Sequence, residues 1–305
     1  MSSSLPDGFR LRAGAASDLD IAAALVRAEE RNVRGHSEWG PDEMIDFWRR
    51  GDIEEGSWIA EASGGKAVGF AMSMHRDEDT ECWAAVHPDV VGRGLSTALL
   101  EKVEERARRR GSERLHAGMF AENQSALELF ERLGFHEVRR YYQMRIVFDH
   151  PPEPPVSPEG IEVVPFRRED ARAFHTAMNE AFEEEWGFLS QPFEEWERTR
   201  LGAPDTDTSL WFIARDGDEI AGVIRCDAKK HGGGWIGALG VRKPWRKRGV
   251  GLALLRQAFA EFHRRGEPHV GLGVDAQNPT GATRLYEKAG MHVLTEDVVF
   301  EKELR

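Results

Sequence analysis

Basic and glycine residues stand together at Arg246-Lys247-Arg248-Gly249-Val250-Gly251. Glycines let a backbone approach a ligand closely, and a helix that began here would add free N–H groups and partial positive charge. That combination suits the binding of a diphosphate. We therefore predict a pyrophosphate cradle at this loop, with a solvated basic loop as the alternative.

The surroundings of the loop favour the cradle. An apolar strand candidate from Trp235 to Val241 precedes it. After it, apolar residues recur at steps of three and four, which predicts one face of an amphipathic helix: Leu252, Leu255, Phe259 and Phe262. The same succession of strand, loop and helix occurs earlier in the chain, around Val91-Gly92-Arg93-Gly94-Leu95-Ser96. A Walker loop would be longer and would end in lysine and serine, so that class of phosphate site is excluded.

This recurrence extends along the chain and indicates a duplication. Trp58 and Trp211 are separated by 153 residues, and Gly94 and Gly249 by 155. A separation that changes so little predicts two copies of one unit.

A proline-rich segment lies between the copies. Residues 150–160 hold five of the 14 prolines and can form neither a helix nor a central strand. We predict an N-terminal domain over residues 1–149, a linker over 150–160 and a C-terminal domain over 161–305. Strand and helix signals alternate in each domain, so the predicted fold class is α/β with α+β layering, each domain having a mixed central β-sheet flanked by helices.

Composition narrows the classes of function. The 305 residues carry a net charge of −12, which disfavours nucleic acid as a partner. Apolar runs fall short of the roughly 20 residues that span a bilayer, and the N-terminus lacks the pattern of a secretory signal. The two cysteines, Cys82 and Cys226, lie in different copies, which favours reduced thiols. We expect a cytoplasmic protein with neither a membrane nor a metal as partner.

A second segment joins the loop in resembling a known family. It runs Val274-Asp275-Ala276-Gln277-Asn278-Pro279-Thr280-Gly281-Ala282 and continues to Leu285-Tyr286-Glu287-Lys288-Ala289-Gly290-Met291. With it, the chain resembles the GNAT superfamily of acetyl-CoA-dependent N-acetyltransferases, whose hallmark of Gln or Arg, two residues, Gly, one residue, and Gly or Ala is matched by Arg246 to Gly251. The resemblance covers essentially the whole chain twice, and the tandem arrangement is similar to that of mycothiol synthases.

The resemblance implies roles for particular residues. The strand before the loop would diverge from its neighbour and pair with the pantetheine arm of CoA through Leu239-Gly240-Val241. Asn278 matches a position that contacts the pantetheine region, and Tyr286 matches the tyrosine that protonates the departing CoA thiolate. A phenol is protonated at neutral pH, so it can serve as that acid. The alternative for Tyr286 is a packed tyrosine with its hydroxyl at the surface.

The two copies differ at the expected proton donor. Phe130 stands where the second copy has Tyr286, and Val91 and Ser96 depart from the hallmark of the loop. Because the loss of a general acid removes about 10²- to 10⁴-fold of rate, we predict that the first copy is catalytically silent.

The predicted function is transfer of an acetyl group from acetyl-CoA to a primary amine of a small molecule or peptide by direct attack. Neither cysteine has a companion that would make it a nucleophile. Several residues remain open as the general base: Glu183, Glu184, Glu185, Asp227, His231 and Asp275. For the three glutamates a solvated helix face beside Trp186 is the favoured interpretation. The competing functions are a non-enzymatic acetyl-CoA-binding or sensing module and a mycothiol synthase-like acetyltransferase.

Overall fold

A computed structural model describes residues 5–39 and 41–304. The chain forms two compact units. The first runs up to Tyr141 and takes in the segment from Glu296 onward, and the second is Tyr142–Thr295. Both combine helices with a mixed sheet, as the predicted α/β class requires.

The described part of the chain forms twelve strands and nine α-helices. The strands are β1 (Phe9–Ala13), β2 (Ser57–Ala62), β3 (Ala67–Arg76), β4 (Asp79–Val86), β5 (Arg114–Phe120), β6 (His136–Val147), β7 (Ile161–Pro165), β8 (Phe212–Asp216), β9 (Glu219–Lys230), β10 (Gly233–Val241), β11 (His269–Asp275) and β12 (His292–Glu303). The helices are α1 (Leu19–Arg34), α2 (Pro41–Arg50), α3 (Ile53–Gly56), α4 (Leu95–Arg109), α5 (Gln124–Arg132), α6 (Ala171–Phe182), α7 (Phe193–Trp196), α8 (Val250–Arg264) and α9 (Ala282–Lys288).

The first unit orders its strands β1-β2-β3-β4-β5-β12. All neighbouring pairs are antiparallel except β4 and β5, which are parallel and joined through α4. Side chains alternate between the faces of β3, so that Phe70 and Met72 pack with α1 while Ala71 packs with α4. Helices therefore cover both faces of this sheet.

The second unit repeats this plan with the order β7-β8-β9-β10-β11 and then β6. β10 and β11 pair in parallel and are joined through α8. The apolar residues that predicted this helix all lie within α8, and Leu255, Phe259 and Phe262 are buried in the core. Gly266, in the left-handed region, follows the end of the helix, as is common at helix C-termini.

The final strand lies outside the unit to which its sequence copy belongs. β12 pairs with β5 from Asp297 opposite Phe120 to Glu303 opposite Arg114, and Val298 and Phe300 are buried in the first unit. In the reverse direction Met144, from the end of the first copy, is buried in the core of the second unit. The compact units therefore differ from the linear boundaries predicted at residues 149 and 161, because the second unit begins within β6 and ends within β12.

The segment between the copies lacks regular structure, as its prolines predict: residues 150–160 form neither helix nor strand. Among the described residues, none of the helices has the length and apolar character needed to cross a membrane.

Candidate active site

An opening between two parallel strands is the central feature of the second unit. β10 pairs with β11 through three residue pairs: Gly234 with Val270, Trp235 with Gly271, and Ile236 with Leu272. The pairing ends after the third pair. Both strands continue beyond that point, β10 to Val241 and β11 to Asp275. A register irregularity between β9 and β10 falls at the same place, between Ile236 and Ala238. The strands therefore diverge over their last residues.

The predicted segment Leu239-Gly240-Val241 borders this opening. On its other side it remains paired with β9, through Ile224, Val223 and Gly222. A strand that is paired along only one edge presents backbone N–H and C=O groups along the other. The segment can therefore offer hydrogen-bonding groups at this edge, and its pairing with an extended ligand stays a prediction.

Helix α8 begins just after the end of β10. Gly249 is its N-cap, with a left-handed φ of 88° that favours glycine. The 15-residue helix starts at Val250, and its first-turn N–H groups have no partner within the helix. These groups and the helix dipole make the loop a site for an anion.

Arg246 is held by contacts within the second unit. Its Nε donates to the Val241 carbonyl at 3.1 Å, Nη2 to the Ala181 carbonyl at 3.1 Å, and Nη1 to the Glu184 carboxylate at 2.7 Å. The guanidinium thereby ties the end of β10 to the end of α6. Its contact with a phosphate stays a prediction, as do those of the neighbouring cations and amides.

Lys247 and Arg248 are exposed beside the helix start. Lys247 has a φ of 62°, one of few non-glycine residues in the left-handed region among those described. The corresponding residue of the first copy is Gly92, with a φ of 81°. A lysine where the backbone favours glycine keeps a charge at this turn despite a conformational cost of order 1 kcal/mol. Arg248 lies 3.5 Å from the Asp216 carboxylate.

Two of the predicted site glycines allow close packing. A Cβ on Gly251 would lie 2.8 Å from Cδ2 of Leu285, and one on Gly240 would lie 2.8 Å from Cβ of Ala181. We predicted that glycine in the loop admits a diphosphate. For Gly251 the space is instead occupied by a side chain of α9, so this glycine brings α8 and α9 together.

Tyr286 lies on α9 and is 7 % exposed. Burial raises the pKa of its phenol above the ordinary value, and the charge of Glu185 adds to this effect. The hydroxyl is therefore protonated throughout the physiological range and can donate a proton. Asn278 precedes the same helix, and its Nδ2 donates to Oε1 of Glu185 at 3.0 Å.

The structure separates the three consecutive glutamates that follow α6. Glu183 accepts a hydrogen bond from Lys243 at 2.5 Å, and Glu184 pairs with Arg246; both glutamates are exposed. Their surface placement agrees with a solvated face. Glu185 is half-buried and bonded to Asn278.

Each of the remaining candidate bases is held by contacts with its neighbours. Asp227 accepts from Arg225 at 2.9 Å, and Asp275 accepts the Gln277 amide at 2.8 Å in a turn after β11. His231 is buried with its ring centroid 4.7 Å from that of Trp235.

Both thiols are buried and free. Burial raises the pKa of Cys82 to about 12 and also raises that of Cys226. A thiol held in its neutral form is a poor nucleophile, so an acyl-cysteine intermediate is disfavoured.

The first unit has the same backbone frame and lacks the tyrosine predicted to act as the acid. Pairing of β4 with β5 ends at Cys82 and Ala117, and α4 begins after the left-handed Gly94. Phe130 is buried at the position of Tyr286. Sequence reasoning overlooked one element here: Asn123 donates to Glu29 at 2.8 Å, which repeats the bond between Asn278 and Glu185. The nearly equal spacing of the two pairs, 94 and 93 residues, was the available signal.

Comparisons with known proteins agree with this arrangement. A family model described as the acetyltransferase (GNAT) family matches residues 23–135 and 171–291. The chain is 31 % identical over 246 residues to a mycothiol acetyltransferase of Streptomyces scabiei, with 77 % of this chain and 76 % of the relative covered. It is 29 % identical over 272 residues to a mycothiol acetyltransferase of Nocardiopsis dassonvillei, with 77 % and 78 % covered.

A solved structure shows the same fold over the full length. The GCN5-related N-acetyltransferase from Sphaerobacter thermophilus is 34 % identical and superposes with a TM-score of 0.86. The alignment covers 99 % of this chain and 98 % of that protein.

Proposed function

Because the chain belongs to the acetyltransferase (GNAT) family, with two such domains in tandem, we propose that its second unit transfers an acetyl group from acetyl-CoA to a primary amine. One observation carries the proposal. The gap between β10 and β11 opens directly before α8, and the buried Tyr286 lies on α9, which packs against the start of α8 through Gly251 and Leu285. A strand edge for an extended arm, a helix start for phosphates and an acid for a leaving group therefore lie on neighbouring elements.

Each part of acetyl-CoA has a matching feature of the unit. The diphosphate would lie at the first turn of α8, near Lys247 and Arg248, where amides and cations converge. The pantetheine arm would extend along Leu239-Gly240-Val241, whose free edge can pair with its amides. Asn278, at the end of β11, would border the thiol end of that arm.

The reaction we propose is a direct transfer. The amine nitrogen forms a bond to the thioester carbonyl carbon, and a backbone N–H of β10 stabilises the oxyanion, a contribution of about 10²- to 10³-fold. The C–S bond then breaks, and Tyr286 gives its proton to the departing thiolate. Both buried thiols are unsuited to a covalent step, which supports transfer without an enzyme-bound acetyl group.

The names of the relatives bear on the class of acceptor. The relatives named mycothiol acetyltransferases support a mycothiol-type amine as a second, more specific candidate beside other small-molecule or peptide amines. Free, buried cysteines support an activity that operates in the reducing cytoplasm.

The direct test is acetyl-CoA turnover with a panel of primary amines, measured through the release of free thiol. We expect thiol release that depends on both the protein and an amine, with acetylated amine detected by mass spectrometry. Calorimetric binding of acetyl-CoA with no turnover across the panel would instead support the binding or sensing module.

A further inference from the structure

The turn after α6 sends one carboxylate inward. The Glu185 amide donates to the Phe182 carbonyl at 2.9 Å, and the Phe188 amide donates to the Glu185 carbonyl at 3.2 Å. Glu183 and Glu184 stay on the surface with their cationic partners. Adjacent residues of one type are thus divided by a backbone turn into two exposed charges and one half-buried carboxylate.

Glu185 is held from both sides of the strand opening. The end of α6 packs on β10 so closely that a Cβ on Gly240 would lie 2.8 Å from Ala181 and 3.2 Å from Phe182. The carboxylate of Glu185, three residues later, binds Asn278 of the segment that follows β11. Its backbone is therefore anchored to one diverging strand and its side chain to the end of the other.

Burial and the neighbouring side chains determine the pKa of the Glu185 carboxylate. Burial raises the pKa of Glu185 above its ordinary value, and the charge of Asp275 raises it further. The hydrogen bond from Asn278 and the charge of Arg246 act in the opposite direction. Tyr286 is close enough for the Glu185 charge to affect its own titration. A carboxylate that holds a proton more readily than an exposed one is better suited to act as a base near neutral pH.

We propose that Glu185 is the general base of the second unit, placed at the opening between β10 and β11 to take a proton from the incoming ammonium group. This inference rests on the proposed acetyl transfer. The Glu185 carboxylate takes one proton from the ammonium, and the nitrogen lone pair then forms the C–N bond. The C–S bonding pair leaves with sulfur, which takes the Tyr286 proton. The nitrogen loses its second proton as the tetrahedral intermediate collapses, and this proton restores the Tyr286 hydroxyl. Glu185 passes the first proton to solvent, so that one proton is released for each amide formed.

A purely structural tie is the rival explanation, because the bond to Asn278 joins α6 to the loop after β11. Glu185→Gln separates the two. The amide oxygen can still accept from Asn278, so the tie persists, whereas the side chain no longer takes up a proton at neutral pH. Glu183→Gln is the matched control, since it removes a carboxylate from the same turn on its exposed side. Glu29→Gln removes the corresponding carboxylate from the first unit.

The measurements are kcat and KM for an amine that the wild-type protein acetylates, acetyl-CoA affinity, and the pH dependence of kcat/KM. We expect Glu185→Gln to lower kcat about 10²- to 10⁴-fold, with acetyl-CoA affinity within about twofold of wild type. Wild-type kcat/KM should fall at acidic pH as Glu185 is protonated. In Glu185→Gln the inflection due to Glu185 should be lost, and kcat/KM should instead rise with pH in proportion to the fraction of unprotonated amine. The two control variants should keep the wild-type profile.

Glu185→Gln with wild-type kcat and an unchanged acidic limb would overturn the assignment while leaving acetyl transfer intact. A loss of acetyl-CoA affinity and thermal stability with an unchanged pH profile would also overturn it, in favour of the structural tie. Glu185→Asp gives a further check, since a carboxylate set back by one methylene should restore part of kcat and the acidic limb. A wild-type protein that acetylates no amine contradicts the proposed function itself, which is a different result from an active wild type with an equally active variant.

Discussion

Nδ2 of Asn123 donates to Oε1 of Glu29 across 2.8 Å in the first unit. Asn278 and Glu185 make the same contact in the second unit at 3.0 Å. Both copies thus keep a carboxylate bound to the asparagine that precedes the helix of the acid position. They differ in the helix that follows this asparagine, where the first copy has Phe130 and the second has Tyr286. The backbone frame occurs in both copies, and the side chain predicted to donate the proton occurs in the second.

Glu29 predicts a pH-dependent stability of the first unit. Burial raises the pKa of Glu29 from 4.5 to about 7, against the effect of its bond from Asn123. The folded state therefore favours the protonated form, so the contribution of Glu29 to stability is fully present below pH 4.5 and is lost as the pH rises through 7. Glu29→Gln should remove this loss, and should be more stable than wild type at pH 8 by on the order of 1–3 kcal/mol.

Thermal or denaturant unfolding at pH 5 and pH 8 measures this effect. The stability gain of Glu29→Gln over wild type should grow between the two pH values. Glu128→Gln, which changes an exposed carboxylate on α5, is the control and should show a pH-independent difference. An equal gain for Glu29→Gln at both pH values would contradict the assigned cause.

Gly249 and Gly94 form a matched pair for locating acetyl-CoA. Both are N-caps in the left-handed region, with φ of 88° and 83°, and a Cβ on either would lie 3.3 Å from a proline Cγ. Alanine should cost each helix start a similar amount, about 1–2 kcal/mol. We expect Gly249→Ala to weaken acetyl-CoA binding at least tenfold and to reduce turnover, and Gly94→Ala to leave both nearly unchanged.

Calorimetry for affinity and thiol release for turnover distinguish the two variants, with thermal unfolding as a check on folding. Comparable losses of turnover in two folded variants would show that both sites work or that they are coupled. The close similarity of the two mutations ensures that a difference between them reports function.

Local spacing in the sequence was sufficient to predict α8 and the loop before it, together with the corresponding loop and helix of the first copy. The apolar residues from Leu252 to Phe262 fix the face of α8, and the loop before it identifies the helix start. The contact of Gly251 with Leu285 was not predictable, because the two residues are distant in sequence and the hallmark records only that a small residue is required. The pairing of β12 with β5 was not predictable for a related reason, since a duplicated strand carries the signals to pair in either copy.

The different environments of the three glutamates after α6 were also not predictable from the sequence. Three consecutive glutamates predict a charged surface, and Glu183 and Glu184 satisfy that prediction. Glu185 differs because the backbone turns between Phe182 and Phe188 and directs its side chain toward Asn278. Residue type alone could not distinguish the three carboxylates.

Lys247 should bind acetyl-CoA at the expense of a strained backbone. Lys247→Gly removes a side chain from a left-handed residue and should leave the protein at least as stable, by up to about 1 kcal/mol. Loss of one exposed cation should weaken acetyl-CoA binding by up to about 1 kcal/mol, roughly fivefold in Kd. Calorimetry at low and high salt, with thermal unfolding, measures both effects. Lys247→Asn, which tolerates this conformation without the charge, should show the same loss of affinity; unchanged affinity in both variants would remove Lys247 from the phosphate site.

Tyr286→Phe tests the acid. The phenylalanine ring fills the same buried space on α9, as Phe130 does in the first unit, so folding and acetyl-CoA affinity should be nearly unchanged. The hydroxyl acts when the C–S bond breaks, so its loss should lower kcat by about 10²-fold or more. Phe130→Tyr is the reciprocal control and should leave the rate as it is in wild type. Pre-steady-state measurements, in which chemistry limits the rate, give the decisive comparison: wild-type kcat in Tyr286→Phe would make Tyr286 a packing residue, and a change confined to acetyl-CoA affinity would make it a binding residue.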